Sequence, residues 1–205
     1  MSAIEPEDMR LFDALPMTDE EANARLHARL VAAAERDGVL DVAYRTIATP
    51  IGELLLAGTE RGLVRVAFPR QGHDEVLATL AQTVSPRILR APGRLDQASR
   101  QLDEYFDGTR TVFDLPLDFR LATGFRRAVL AHLPAIPYGH TESYAQVAAA
   151  AGSPKAVRAV GTACARNPLP VVVPCHRVVR SDGTAGGYAG GPDAKHALLA
   201  LESAA

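Results

Sequence analysis

Tryptophan is missing from this 205-residue chain, and aromatic residues make up only 5% of it. Cysteine is almost as scarce. Cys164 and Cys175 are the only two, with no CxxC and no Cys/His ligand spacing around them, so neither a disulfide framework nor a structural zinc site is indicated. No stretch approaches the roughly 20 consecutive apolar residues of a membrane span. Residues 1–16 carry acids without the apolar core of a secretory leader. Charge of one sign is also lacking, because the net charge is −2. These absences leave a globular chain, expected in the cytoplasm, with 47% hydrophobic residues from which to build ordinary cores.

The small net charge hides an asymmetry. Residues 120–205 hold nine Lys/Arg against four Asp/Glu, whereas residues 1–119 hold thirteen against twenty. The basic half is therefore the one suited to a phosphate backbone.

Thr18-Asp19-Glu20-Glu21 reads as a capping-box start, and Ala22, Leu26, Leu30 and Ala33 follow at helical spacing until Gly38. Three strand-like segments come next, at about 41–48, 53–57 and 63–68. Short turns separate them, which predicts an antiparallel meander. Helical periodicity returns over 73–84 and over 95–106, where Leu95, Ala98, Leu102 and Phe106 share a face. Residues 113–118 read as an extended connection, and they coincide with the change in charge sign. The spacing thus predicts an α+β chain in three parts: a helical extension at 1–38, a sheet domain with helices at 39–118, and a mostly helical domain at 119–205.

In the last part a helix over about 123–133 precedes Ile136-Pro137-Tyr138-Gly139. Ser143-Tyr144-Ala145-Gln146 has the capping-box pattern and opens an alanine-rich helix that stops at Gly152. Ser153, with Pro154 after it, predicts the cap of a second helix carrying Lys155 and Arg158. Helix, glycine turn and helix make a helix-turn-helix candidate. Ala156, Ala159 and Gly161 are small enough to let a nucleic acid approach Arg158.

The segment with most chemical content is Pro174-Cys175-His176-Arg177, entered from the apolar run 169–173 and left through Val178-Val179. Only a thiolate is strongly nucleophilic, and a free cysteine is only a few per cent ionised near neutrality, so a neighbouring base has a purpose. His176 is adjacent in sequence, and its ring reaches the sulfur only by way of a bridging water or a different backbone direction. The plain alternative is a buried structural cysteine beside an unrelated histidine.

Taken together, Ile136-Pro137-Tyr138-Gly139, Ser143-Tyr144, Arg158-Ala159-Val160-Gly161, Asn167-Pro168, Pro174 to Val179 and Gly186-Gly187-Tyr188-Ala189-Gly190-Gly191 resemble the O6-alkylguanine-DNA alkyltransferases, over about residues 39–202. The resemblance implies a ribonuclease-H-like N-terminal domain and a winged-helix-like C-terminal domain holding the helix-turn-helix and the Cys175 loop. It implies that Cys175 accepts an alkyl group once from O6-alkylguanine, and secondarily from O4-alkylthymine, in double-stranded DNA, in a monomer with no cofactor and no metal. The damaged base would be flipped out of the stack. Arg158 would fill the vacated space. Tyr144 would crowd the phosphate and donate to N3 of the leaving guanine, and His176 would act on Cys175 through a water with Glu202 orienting it.

By the same likeness Asn167 ties the turn before the Cys175 loop. Tyr188, Ala189 and Gly190 cover the base, with the Ala189 N–H offered to O6 and Val178 in support. Lys195 braces this loop or the Tyr144 region, unless it is a solvated helix position. Ala189 stands where some relatives carry serine, and Pro192 where a leucine is common. Two rival classes are a lesion-binding module, which would lack the nucleophile, and a cysteine hydrolase, which would not need Arg158 on a helix-turn-helix.

Overall fold

The computed structural model describes residues 20–203. They fall into two compact units, one ending at Leu40 and the other beginning at Asp41. The first contains α1 (Glu20–Arg36). It ends in a Schellman turn: Gly38 adopts φ 66°, the Val39 N–H bonds to the Ala34 carbonyl at 2.9 Å, and the Gly38 N–H bonds to that of Glu35 at 3.2 Å. Thr18 and Asp19, half of the expected capping box, lie outside the described residues.

The second unit opens with the expected meander, β1 (Val42–Ile47), β2 (Leu54–Thr59) and β3 (Gly62–Ala67), paired antiparallel. A fourth strand extends the meander beyond what the turns and spacing predict. After α2 (His73–Thr83), the short β4 (Ile88–Arg90) returns and pairs parallel with β1, giving the order β3-β2-β1-β4. A three-residue strand is too short to show alternation, so its pattern carries no signal. Central β2 is buried at all six positions because both faces are covered. Val76 and Leu80 of α2 pack on one face. On the other lies α3 (Asp96–Phe106), which buries Ala98, Leu102 and Tyr105.

Edge strand β3 is not left open. The Leu63 N–H bonds to Pro116 O at 2.8 Å and the Asp118 N–H to Leu63 O at 2.8 Å, so the extended 113–118 segment runs along this edge, and the Val66 N–H bonds to Pro168 O at 2.8 Å. Backbone groups that would otherwise template aggregation thus hold the connection and the Asn167-Pro168 turn.

The rest of the unit is α4 (Gly124–His132), β5 (Glu142–Ser143), α5 (Tyr144–Ala150), α6 (Val157–Ala165), β6 (Val178–Val179) and α7 (Gly191–Ser203). Helix α6 starts at Val157, later than Ser153 and Pro154 suggest. Those residues form a separate turn, closed by the Ala156 N–H on Ser153 O at 2.8 Å. One buried cluster joins Leu54, Leu102 and Tyr105 of the first half to Leu130, Val160, Cys175 and Leu198 of the second. The two halves share a core.

Gly62 shows how closely the connection is packed. Its φ is 127°, and a Cβ there would lie 2.1 Å from the Pro116 carbonyl oxygen. Gly62→Ala combines this clash with backbone strain of about 1–3 kcal/mol. Chemical denaturation is expected to show a loss of at least that size, and an unchanged midpoint would contradict the packing.

Candidate active site

The Cys175 loop is set by its two flanks. On the near side α6 ends at Ala165 and Asn167 is buried. The Asn167 amide donates to Val173 O at 2.8 Å and to Cys175 Sγ at 3.2 Å, while its Oδ1 accepts from the Leu169 N–H at 2.9 Å. One side chain therefore closes the turn and touches the sulfur. On the far side β6 pairs parallel with β5, with Glu142 opposite Val178 and Ser143 opposite Val179. Because Ser143 is also the N-cap of α5, in a capping box with Gln146, the ladder places Tyr144 beside the Cys175 loop. Cys175, His176 and Arg177 form a single buried 3₁₀ turn between these flanks.

Behind the loop lies Glu202, 3% exposed. Its Oε1 receives the Tyr105 hydroxyl at 2.7 Å, His176 Nε2 at 2.7 Å and Arg177 Nη2 at 2.9 Å. Its Oε2 receives Arg177 Nε at 2.8 Å and the Gly139 N–H at 3.3 Å. Burial alone would raise this carboxyl, but the hydrogen bonds from His176 and Arg177 hold it down to about 2. An ionised carboxylate only accepts, so the proton on His176 sits on Nε2. Nδ1 then carries the free lone pair, and it is buried with no protein partner. Burial also lowers the imidazole's affinity for a second proton, despite the opposing pull of Glu202. The site thus holds a neutral histidine with its basic nitrogen unengaged.

The thiol is likewise disfavoured as an anion. Burial pushes Cys175 up to about 11, against the lowering effects of the Asn167 hydrogen bond and of Lys195. Lys195 is not a solvated helix position: it is 0% exposed, and its ammonium donates to Val178 O at 2.6 Å.

The glycine-rich segment 186–191 folds over this turn, and Gly186, Gly190 and Gly191 are set by close neighbours. A Cβ on Gly186 would come 2.1 Å from the Tyr144 hydroxyl, and one on Gly190 would lie 2.6 Å from the Phe68 ring. Phe68 also meets the Tyr188 ring edge-on at 5.6 Å, and Tyr188 meets the His176 ring at 6.2 Å. Ala189 packs partly buried against the same core. Tyr144, Asn167, Val178, Tyr188, Ala189, Gly190, Lys195 and Glu202 therefore gather around Cys175 and His176.

Helix α6 faces elsewhere. It buries Val160, Ala163 and Cys164, while Arg158 and Ala159 are exposed and Ala156 and Gly161 half-buried. Arg158 is the one charged residue within the helix, and the exposed Lys155 and Arg166 flank it.

Three contributors have no place in the expectations from sequence. Tyr105 comes from α3, in the sheet half. Arg177 stands inside the recognised motif without a role, yet it makes two bonds to Glu202 and one to Ile136 O at 2.7 Å. Gly186 makes room for Tyr144. The α3 periodicity exposes no more than an apolar face, and nothing in spacing tells a packed tyrosine from one whose hydroxyl meets a carboxylate 97 positions away.

The family model described as 6-O-methylguanine DNA methyltransferase, DNA binding domain, matches residues 124–204, and that of the ribonuclease-like domain matches residues 42–119. The methylated-DNA--protein-cysteine methyltransferase of Methanosarcina barkeri is 42% identical over 78% of this chain and 96% of its own. The constitutive protein of that name from Bacillus subtilis is also 42% identical, over 78% of this chain and 94% of its own. The crystal structure of Mycobacterium tuberculosis O6-methylguanine methyltransferase superposes with a TM-score of 0.70 at 41% identity, covering 80% of this chain and 93% of that one. That of Mycobacterium tuberculosis OGT in complex with DNA gives 0.68 at 42%, covering 79% and 93%.

The Glu202 network predicts an acid-sensitive fold. Below the ordinary histidine value of 6.5 the unfolded chain takes up a proton that buried His176 resists. From 4.5 toward about 2 the same holds for Glu202. Both shifts are downward, so both contributions are present at neutral pH and are lost as pH falls. Glu202→Gln leaves Arg177 buried without its anion and is expected to cost about 3–5 kcal/mol at neutral pH. Urea midpoints of the parent and the variant should converge in acid, and a gap independent of pH would contradict the assignment.

Proposed function

Because the chain belongs to the 6-O-methylguanine DNA methyltransferase family, we propose that it repairs DNA by direct reversal, moving an alkyl group from O6-alkylguanine to Cys175. It is a methylated-DNA--protein-cysteine methyltransferase that acts on duplex DNA, one molecule per lesion, in a three-part chain divided near residues 38 and 118. The observation that carries the reading is the pairing of a buried thiol, touched by Asn167 at 3.2 Å, with a histidine whose only unengaged ring atom is the basic one.

The chemistry follows from that pairing. The S–H bond of Cys175 breaks and its proton passes through a water to Nδ1 of His176. The sulfur lone pair attacks the alkyl carbon, and the bond from that carbon to O6 breaks with its electrons passing to guanine. Tyr144 gives its phenolic proton to N3, so that guanine departs neutral rather than as a poor anionic leaving group. Once the imidazolium has returned its proton through solvent to the Tyr144 phenolate, the net change is one alkyl group moved from oxygen to sulfur and one proton from sulfur to guanine. Glu202 balances the imidazolium formed on the way. The thioether has no leaving group that water displaces, so each molecule acts once.

Reaching O6 in line requires the base outside the stack. Arg158 projects from the exposed face of α6 and fills the gap, and Ala156, Ala159 and Gly161 keep the helix surface low enough for the minor groove to close on it. Tyr144 turns the phosphate. Tyr188, Ala189 and Gly190 cover the extruded base, with the Ala189 N–H toward O6 and Val178 and Asn167 fixing the floor. O4-alkylthymine is a secondary substrate of the same pocket.

Incubation with duplex DNA containing O6-methylguanine is expected to add one methyl group per molecule, mapped to Cys175 by peptide mass spectrometry. Repeated turnover with unmodified protein, or methylation at Cys164 alone, would sink the reading. Arg158→Ala is expected to slow repair of duplex DNA more than reaction with free O6-benzylguanine, because only the duplex demands extrusion, at a few kcal/mol. Equal losses on both substrates would remove Arg158 from that role.

A further inference from the structure

Lys195 poses an electrostatic problem that bracing a loop does not answer. Its side chain is fully buried, and Val178 O takes one of its N–H donors at 2.6 Å. Among the described residues it forms no ion pair with a carboxylate. Glu202, on the same helix, is held instead by Tyr105, His176 and Arg177. A buried cation without a counter-ion is costly, and burial accordingly lowers the affinity of this amine for its proton.

Cys175 and Cys164 favour its charged form, and Arg180 opposes it. An anion at Cys175 would also raise Tyr144 of α5 and Tyr188 of the glycine-rich segment, and Lys195 also acts on His176. Only a thiol or a phenol in this set can become an anion. Cys164 is held higher than Cys175 and receives no side-chain hydrogen bond among the described residues, whereas Asn167 already donates to the Cys175 sulfur. Val178, which anchors the ammonium, lies three residues after Cys175 and is clamped by β5.

We propose that the buried Lys195 ammonium, held on Val178 O, is the counter-ion of the Cys175 thiolate. It is a positioning residue acting through the sulfur: when the thiol proton leaves for His176, the negative charge forms beside a fixed positive one. A neutral side chain making the same hydrogen bond would brace the loop and not serve this purpose. The inference rests on Cys175 being the alkyl acceptor.

The test compares the full chain with Lys195→Met and with Lys195→Gln, the latter retaining an N–H donor while removing the charge. Cys175 modification is followed by peptide mass spectrometry from about pH 6 to about pH 10. Chloroacetamide, which needs only the thiolate, and O6-benzylguanine are used in parallel. In the variants the reaction is expected to be about tenfold slower near neutrality, and the gap to close in alkaline solution, where Lys195, its proton loosened by burial, no longer carries charge. An unchanged rate near neutrality overturns the proposal, and so does a loss of equal size at every pH, which is the mark of a brace alone. If Lys195→Met does not fold, the Lys195→Gln profile decides. The chloroacetamide arm reads the ionisation whether or not the parent reacts with O6-benzylguanine, so failure of the parent in that second arm counts against the proposed function and not against Lys195.

Discussion

One buried carboxylate organises this molecule. Glu202, near the end of α7, accepts from Tyr105 of the sheet half, from His176 and Arg177 of the cysteine loop, and from the Gly139 backbone. A carboxylate removed from water must have its lone pairs occupied, and a guanidinium in bidentate contact is the strongest way to do it. The consequence is geometric as well as energetic. With both oxygens engaged, the carboxylate cannot rotate, and the imidazole hanging from it is fixed in ring orientation and tautomer. Tyr105 makes the arrangement depend on the other half of the unit. Its ring packs against Phe106, Phe113 and Tyr138 at centroid distances between 5.3 and 6.0 Å, so the hydroxyl arrives already oriented. The sheet half is thus part of the active-site framework.

The same dependence recurs at the loop 186–191. Phe68, just past the end of β3, occupies the space a side chain at Gly190 would need, and Arg70 does so at Gly191. Tyr144 does the same at Gly186. Each glycine records a close approach, and two of the three approaches come from the sheet half. A loop so constrained covers the thiol with a defined surface, which suits recognition of a flat base more than a flexible lid would.

Much of this was legible before any coordinates. The meander, the connection at 113–118, the capping box at Ser143 and the cysteine loop follow from turn residues and periodicity, because those signals are local. The family resemblance then indicates which side chains gather around Cys175. What escaped is non-local or too short. β4 has three residues and exists because β1 offers it an edge. The start of α6 moved to Val157 because Ser153 and Pro154 close a turn of their own. Tyr105 reads as one more apolar-face residue, since periodicity reports burial and says nothing of a hydroxyl's partner. Lys195 at a helical position reads equally well as solvated, and only the packing of α7 on β6 shows it to be fully buried.

The resting site therefore sits in a low-dielectric shell that disfavours every charge the reaction must create. Burial opposes the thiolate, the imidazolium and the phenolate of Tyr144 alike. For a protein consumed by a single reaction, as proposed, this has a clear use, because a thiolate standing free would be spent on any passing electrophile. Fixed charges of both signs lie just outside the reacting atoms: Glu202 behind the imidazole and Lys195 beside the cysteine loop. Both are already ordered by bonds that do not change during transfer. They act in a medium where electrostatic effects are large and need no reorganisation when charge develops. In the proposed reaction the sulfur is kept protonated by its surroundings and made ionisable by its neighbours, and the balance shifts when a base enters the pocket with an alkyl carbon to attack and an N3 for Tyr144 to protonate.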